Sequence, residues 1–263
     1  MEWTSDAENA IKKVPFFVRK RVKTRVEKEA QESGKTIVSL SEVKATQKKY
    51  LSNMGSEIKG FQLDTCFGSS GCPNRAVDSS RLLQKIEKIL EKENLSAFLQ
   101  KRVKGEIKFH HELRVTLADC PNACSQPQIK DIGIIGVMSP QITDKPCTLC
   151  EACVEVCREN AVTINRESEL PEIDNTLCLD CGQCIDICPT GTLAQGKKGY
   201  RVQLGGKLGR HPVLAHELPG IYTEDEIITI VKNCIAFYKK FSKSGERFAE
   251  LFHKHDFKAF INR

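Results

Sequence analysis

Two stretches of the chain, "CTLCEACVEVCRENAV" and "CLDCGQCIDICPTGTL", repeat one another, each with four cysteines at the spacing C-x2-C-x2-C-x3-C. Nothing else in the sequence constrains the fold as tightly. Three cysteines so closely set wrap one chain segment around three corners of a cube, and the fourth is left pointing at a neighbouring cluster. Zinc sites use pairs of ligands, not interlocked quartets. A disulfide framework does not fit either, because a chain of 263 residues buries a core of its own and its 13 cysteines cluster as C-x2-C.

Over residues 144–194 the chain resembles the two-cluster bacterial ferredoxin family. The resemblance implies that Cys147, Cys150, Cys153 and Cys188 hold one [4Fe-4S] cluster, and that Cys178, Cys181, Cys184 and Cys157 hold the other. Cys188 is followed by Pro189, as that pattern wants, but Cys157 is followed by Arg158, a cation that raises the potential of its cluster. Such clusters move one electron each and catalyse nothing themselves.

Four more cysteines stand outside the repeat as Cys66-x5-Cys72 and Cys120-x3-Cys124. Their spacing is too loose for a ferredoxin loop, so two distant loops must converge on one cluster. Together with "CPNAC" and the "DIGI" that follows it, they look like the sirohaem-and-cluster motif of the sulfite and nitrite reductase family. The resemblance continues in "YRVQLGGKLGRHP" and "GERFAELF" and covers residues 60–139 and 196–257. A ferredoxin module inserted at this place is similar to the arrangement in dissimilatory sulfite reductase subunits.

What the resemblance implies is an α+β domain of the sirohaem and 4Fe-4S type, with an inserted dicluster ferredoxin domain. It makes Cys66, Cys72, Cys120 and Cys124 the ligands of a third cluster. Cys124 bridges that cluster to the sirohaem iron, with Asn122 as a cofactor-binding neighbour. The family prefers a small residue and Gly before the third cysteine, whereas Ala118 and Asp119 stand here and bring an acidic group beside the haem. Six-electron reduction of sulfite or nitrite needs protons and cationic donors at oxygens turning anionic. Lys59, Arg75, Lys108, Arg114, Lys207 and Arg210 are the basic residues nearest the motifs, available to substrate or to the carboxylates of sirohaem. The alternative is an electron-transfer protein carrying three clusters and no haem.

Full sulfite reductases combine two related halves, and the resemblance finds only the cluster-bearing half, so a second copy or another subunit is expected to complete the pocket. The first fifty residues, with Trp3, "KVPFFVRKRV", Glu27, Ala30 and Gly34, look instead like the small C-terminal domain of the light-independent protochlorophyllide reductase B subunit. The expected organisation is thus a helical module at 1–50, a reductase domain at 51–139 and 196–263, and the ferredoxin insertion at 140–195.

Periodicity fills in the elements. Val18, Val22 and Val26 recur at helical spacing, Gly34 ends that run, and Ser41 is expected to cap a second helix. A helix from Asp78 carries Leu82, Ile86 and Ile89, and Leu113, Val115 and Leu117 alternate as in a half-buried strand. Residues 130–138 and 200–206 read as two further strands. Thr223 and Glu226 form a capping box for a helix with Ile227, Ile230, Val231, Cys234 and Phe241 on its apolar face. The odd cysteine, Cys234, is expected in the core.

The net charge of +6 comes with Lys and Arg interleaved among Glu and Asp, and three anionic clusters roughly neutralise it, so nucleic acid is not an expected partner. No apolar run is long enough for a membrane span, and the N-terminus lacks a signal-peptide layout, which points to the cytoplasm. "GGKLG" has the wrong spacing for a dinucleotide loop. Electrons are expected from a partner protein.

Overall fold

The structure, a computed structural model, describes residues 1–14, 16–56 and 58–256. The chain divides into two compact units, the first being Met1–Ile58 with Glu106–Lys108 and the second beginning at Lys59. Lys108 therefore groups with the first unit.

In the first unit β1 (Glu2–Trp3), α1 (Ser5–Lys12), α2 (Phe16–Glu32), β2 (Ile37–Val38) and α3 (Leu40–Ser56) follow in order, with β1 and β2 paired in parallel. Ala7, Val26, Ala30 and Val38 make its core, and Trp3, Val22 and Val43 pack against it. The side chain of Val18, and Pro15 of "KVPFFVRKRV", lie outside the described residues. Gly34 sits at φ +71, with the Lys35 N–H returning to the Ala30 carbonyl at 2.9 Å, so α2 ends where the sequence predicts. The cap of α3 is Ser39 and not Ser41. Ser39 Oγ accepts the Ser41 N–H at 3.2 Å, while the Glu42 carboxylate takes the Ser39 N–H at 2.9 Å. Glu42 closes this reciprocal cap from the third helical position, which moves the helix start two residues earlier. Its bonds from the Ser39 hydroxyl and N–H pull the Glu42 carboxyl down to about 2.

The second unit runs β3 (Phe61–Thr65), α4 (Ser80–Lys92), α5 (Leu95–Arg102), β4 (Leu113–Ala118) and β5 (Ile132–Ile142). After these come α6 (Ala152–Val156), β6 (Val162–Asn165), β7 (Leu170–Ile173), α7 (Gln183–Ile187), β8 (Leu193–Leu204), β9 (His216–Tyr222), α8 (Glu224–Phe241) and α9 (Phe248–Lys254). Its main sheet has the order β3-β4-β5-β8-β9, the first three strands parallel and the last two antiparallel. The expected α+β architecture is present.

Leu82, Ile86 and Leu90 of α4 are fully buried, so its stripe runs at i, i+4, i+8, with Leu90 in the place expected of Ile89; the helix starts at Ser80, after Asp78. On α8 the capping box forms as expected, and Ile227, Val231 and Cys234 are buried together with Ile235, Phe237 and Tyr238. Tyr238 meets Phe98 edge to face at 5.6 Å. The burial of β4 differs from the expectation of a half-buried strand, since Thr116 and Ala118 are as buried as their neighbours. The loop that carries Cys120 and Cys124 lies against that other face, with Thr116 Oγ1 donating to the Ser125 carbonyl at 3.4 Å.

The strands around the insertion are longer than the sequence predicts. β5 reaches Ile142 and β8 starts at Leu193, and these two residues pair, so the insertion is the tip of one long antiparallel hairpin. Its own two-stranded sheet is β6 with β7.

Candidate iron-sulfur and cofactor site

Parallel register explains why two distant pairs of cysteines meet. Thr65 pairs with Leu117, and the Cys66 N–H continues the ladder to the Leu117 carbonyl at 3.1 Å, so Cys66 leaves β3 beside the residues that lead from β4 into Cys120. Both loops thus open from the carboxyl ends of adjacent parallel strands, the usual place for a ligand in such a sheet. Cys66 Sγ accepts the N–H groups of Gly68 at 3.3 Å and Asp119 at 3.2 Å. Cys120 is buried, and burial pushes its thiol up, with Cys66, Cys124 and Cys72 all adding to that push. The four outer cysteines are electrostatic neighbours.

Cys124 alone of these four is exposed, and Asn122 Nδ2 donates to its sulfur at 3.0 Å. The set therefore has a buried end at Cys120 and an open end at Cys124.

Inside the insertion the two halves adopt the same backbone. Leu149 and Asp180 lie at φ 55 and 58, and Glu151 and Gly182 at φ 58 and 78, at matching places in the two cysteine loops. These left-handed residues tighten each loop around a common centre. Cys147, Cys150, Cys153 and Cys188 line one cavity, beside Pro189. Cys157, Cys178, Cys181 and Cys184 line another, with Arg158 in its wall. Each cavity so takes its fourth cysteine from the other repeat. Burial pushes the Cys184 thiol up to about 12, and Cys181, Cys178 and Cys157 add to it.

The donor chemistry fits iron-sulfur clusters. Among the described residues no three His, Cys, Asp or Glu side chains are gathered as around a single ion, and a four-iron cube spreads its thiolates more widely over its corners.

Asp119 is turned inward. It is buried, Ser79 Oγ donates to one carboxylate oxygen, and the other has no partner. Its carbonyl takes the N–H groups of Ala76 at 2.9 Å and Val77 at 3.1 Å. A Cβ on Gly68 would run into this carboxylate, so the charge lies beneath the loop on the Cys66 side, not out by Cys124.

The basic residues divide. Lys59 and Arg210 are exposed, and Arg75 is exposed and paired with Asp78 at 3.3 Å. Lys207 reaches Glu250 at 3.4 Å, and Arg114 has a buried Nε with no partner. Three residues that sequence reasoning missed join the cysteine loops to one another. Met138 packs against Cys120, and Gln183 Nε2 donates to Asn74 Oδ1 at 3.1 Å. No spacing signal marks any of them.

Among the described residues no helix is long and apolar enough to cross a membrane. Over 182 residues the chain is 32% identical to the coenzyme F420-dependent sulfite reductase of Methanocaldococcus jannaschii, covering 69% of this chain and 27% of that protein. It is 28% identical over 105 residues to the C subunit of anaerobic sulfite reductase from Salmonella typhimurium, covering 40% of this chain and 26% of that one. It thus spans about a quarter of the length of these relatives. Its fold is similar to that of dissimilatory sulfite reductase I, with a TM-score of 0.53 at 19% identity over 76% of this chain and 51% of that one. Residues 3–46 match the family of the proto-chlorophyllide reductase 57 kD subunit. Within that stretch the chain is 56% identical over 39 residues to the B subunit of light-independent protochlorophyllide reductase from Chlorobium limicola, covering 15% of this chain and 7% of that one. Residues 60–263 match the nitrite and sulphite reductase 4Fe-4S domain, and the chain belongs to that family of iron-sulfur oxidoreductases.

Proposed function

We propose that the chain is the cluster-bearing part of a sirohaem-dependent reductase of sulfite or nitrite. In this reading Cys66, Cys72, Cys120 and Cys124 hold one [4Fe-4S] cluster, and the two sets in the insertion hold two more. The observation that carries it is the polarity of the outer set, buried at Cys120 against the insertion and open at Cys124. A plain electron-transfer cluster needs no open thiolate.

When bound, sirohaem supplies the iron at which the anion is reduced by six electrons. Cys124 presents the sulfur that cluster and haem would share, and Asn122 fixes that sulfur with its amide N–H. Lys59, Arg75, Lys108, Arg114, Lys207 and Arg210 are the candidate cations for the anionic substrate and the cofactor's carboxylates. Electrons come from a donor protein, and a second copy or another reductase subunit completes the pocket. The domains follow as 1–50, 51–139 with 196–263, and the insertion 140–195. The haem-free, three-cluster carrier is the competing reading.

A visible spectrum of the protein, produced alongside sirohaem synthesis and purified without oxygen, separates the two. The expected result is a haem band that Cys124→Ser disturbs together with the cluster spectrum, while Cys150→Ser disturbs only an insertion cluster. A protein that assembles its outer cluster yet takes up no tetrapyrrole overturns the reductase reading and leaves the carrier.

A further inference from the structure

The two cavities of the insertion are placed differently. The one lined by Cys157, Cys178, Cys181 and Cys184 takes Cys120, Asn122 and Asn74 into its wall, whereas the residues lining the Cys147, Cys150, Cys153 and Cys188 cavity all belong to the insertion. Met138 touches the loops of both sets. It is 8% exposed and shares one buried cluster with Ala76 and Cys120, against which Ile185 packs. Its N–H donates to the Asp180 carbonyl at 2.7 Å, and it forms a parallel bridge with Cys181. Gly182 has no Cβ to spare there, since one would come 2.5 Å from Met138 Cε. The strand register shifts between Met138 and Pro140, which frees this stretch of β5 to pair with the cysteine loop.

Resting on the three-cluster reading above, we infer that Met138 is the positioning residue of an electron hand-off with a fixed order. Electrons arrive at the Cys147, Cys150, Cys153 and Cys188 set from a one-electron protein donor. They pass to the Cys157, Cys178, Cys181 and Cys184 set and cross to the outer set beside Met138. Each transfer oxidises one centre by a single electron and reduces the next by the same electron, with no bond made or broken. The Met138 side chain keeps the gap filled by closely packed, polarizable atoms, and the Met138–Asp180 backbone bond with the Gln183–Asn74 bond holds the two loops in register.

The test uses the full, cluster-loaded chain, with reduced bacterial ferredoxin as donor and the reduction of each centre followed by freeze-quench paramagnetic resonance. Met138→Ala is expected to slow arrival at the outer centre by about fivefold, or about 1 kcal/mol on the barrier. The insertion should still be reduced at its normal rate, iron content and midpoint potentials should be unchanged, and Met138→Leu should restore the rate. Cys181→Ser should stop electrons at the first set. If Met138→Ala loses iron, Gln183→Ala on the exposed contact replaces it, with the same slowing expected. Unchanged arrival in the loaded Met138→Ala or Gln183→Ala protein, or an outer centre still reduced normally in Cys181→Ser, overturns the order while leaving three clusters in place. About eight irons per chain instead of about twelve overturns the three-cluster reading itself.

Discussion

Asp131, the first residue of "DIGI", lines neither cysteine cavity and instead joins the elements around it. It is wholly buried, and its two carboxylate oxygens accept the N–H groups of Arg114 at 2.8 Å and Ala249 at 3.1 Å, while its carbonyl accepts the Gly205 N–H at 2.9 Å. Its side chain thereby ties β4 and α9, and its carbonyl the turn after β8, to the start of β5. Burial pushes its carboxyl up from 3.8 to about 6, against the pull of its N–H donors and Arg247. A carboxyl whose folded value is raised favours folding below the unfolded value, and the gain is lost as pH rises through the folded one. The stability from this group should therefore fall between about pH 4 and about pH 6, by up to about 3 kcal/mol. Asp131→Asn removes the titration but turns an amide N–H against a backbone N–H, at a cost of about 1–3 kcal/mol. Urea unfolding across this range should show the wild type losing stability relative to the variant as pH rises. Parallel profiles would contradict the assignment.

Among the elements, β5 carries the most information per residue. Its glycines lie where the cysteine loops cross it: a Cβ on Gly133 would meet the Pro127 carbonyl at 2.5 Å, and one on Gly136 would strike Val77 and come 2.9 Å from the Asp119 carbonyl. Gly136→Ala should push the Cys120 loop off the strand. The expected outcome is loss of the outer cluster, about four irons, with the insertion still loaded; full iron content would show that the loop can shift. The grouping of the insertion's cysteines around two cavities was legible in the sequence, because their repeated local spacing fixes it. The parallel pairing of β3 and β4 was not legible, since register depends on what covers each face, and Thr116 and Ala118 reveal that cover only in three dimensions. For the same reason the ends of β5 and β8 were misplaced. In the first unit four residues of the quoted signature have structural roles. Trp3 Nε1 donates to Glu27 at 2.8 Å, Ala30 is core and Gly34 ends α2, so those four residues specify a fold and leave its role open.

On the scale of the whole molecule, the even interleaving of charge expected from the sequence holds only outside the insertion. Residues 140–195 contain ten acidic and three basic side chains, so this segment is at −7 while the chain as a whole is at +6. Glu155, Glu159, Glu167, Glu169, Glu172, Asp174 and Asp186 are exposed on it, and Cys150 and Ile187 lie open among them. Anionic clusters held there would add to that field. A donor that reaches the insertion must bring a basic face to it, because like charge at the encounter slows association and opposite charge speeds it by ten-fold or more at low salt. The second-order rate of insertion reduction by the chain's protein donor should therefore fall steeply as ionic strength rises, with Debye screening near 10 Å at about 0.1 M. Reduction by a small uncharged mediator should stay flat over the same range. Glu155→Gln with Asp186→Asn should lower the low-salt rate and flatten its salt dependence, leaving the rate at high salt unchanged. A rate that rises with salt would mean like charges meeting at the encounter, and the donor would then present no basic face to the insertion.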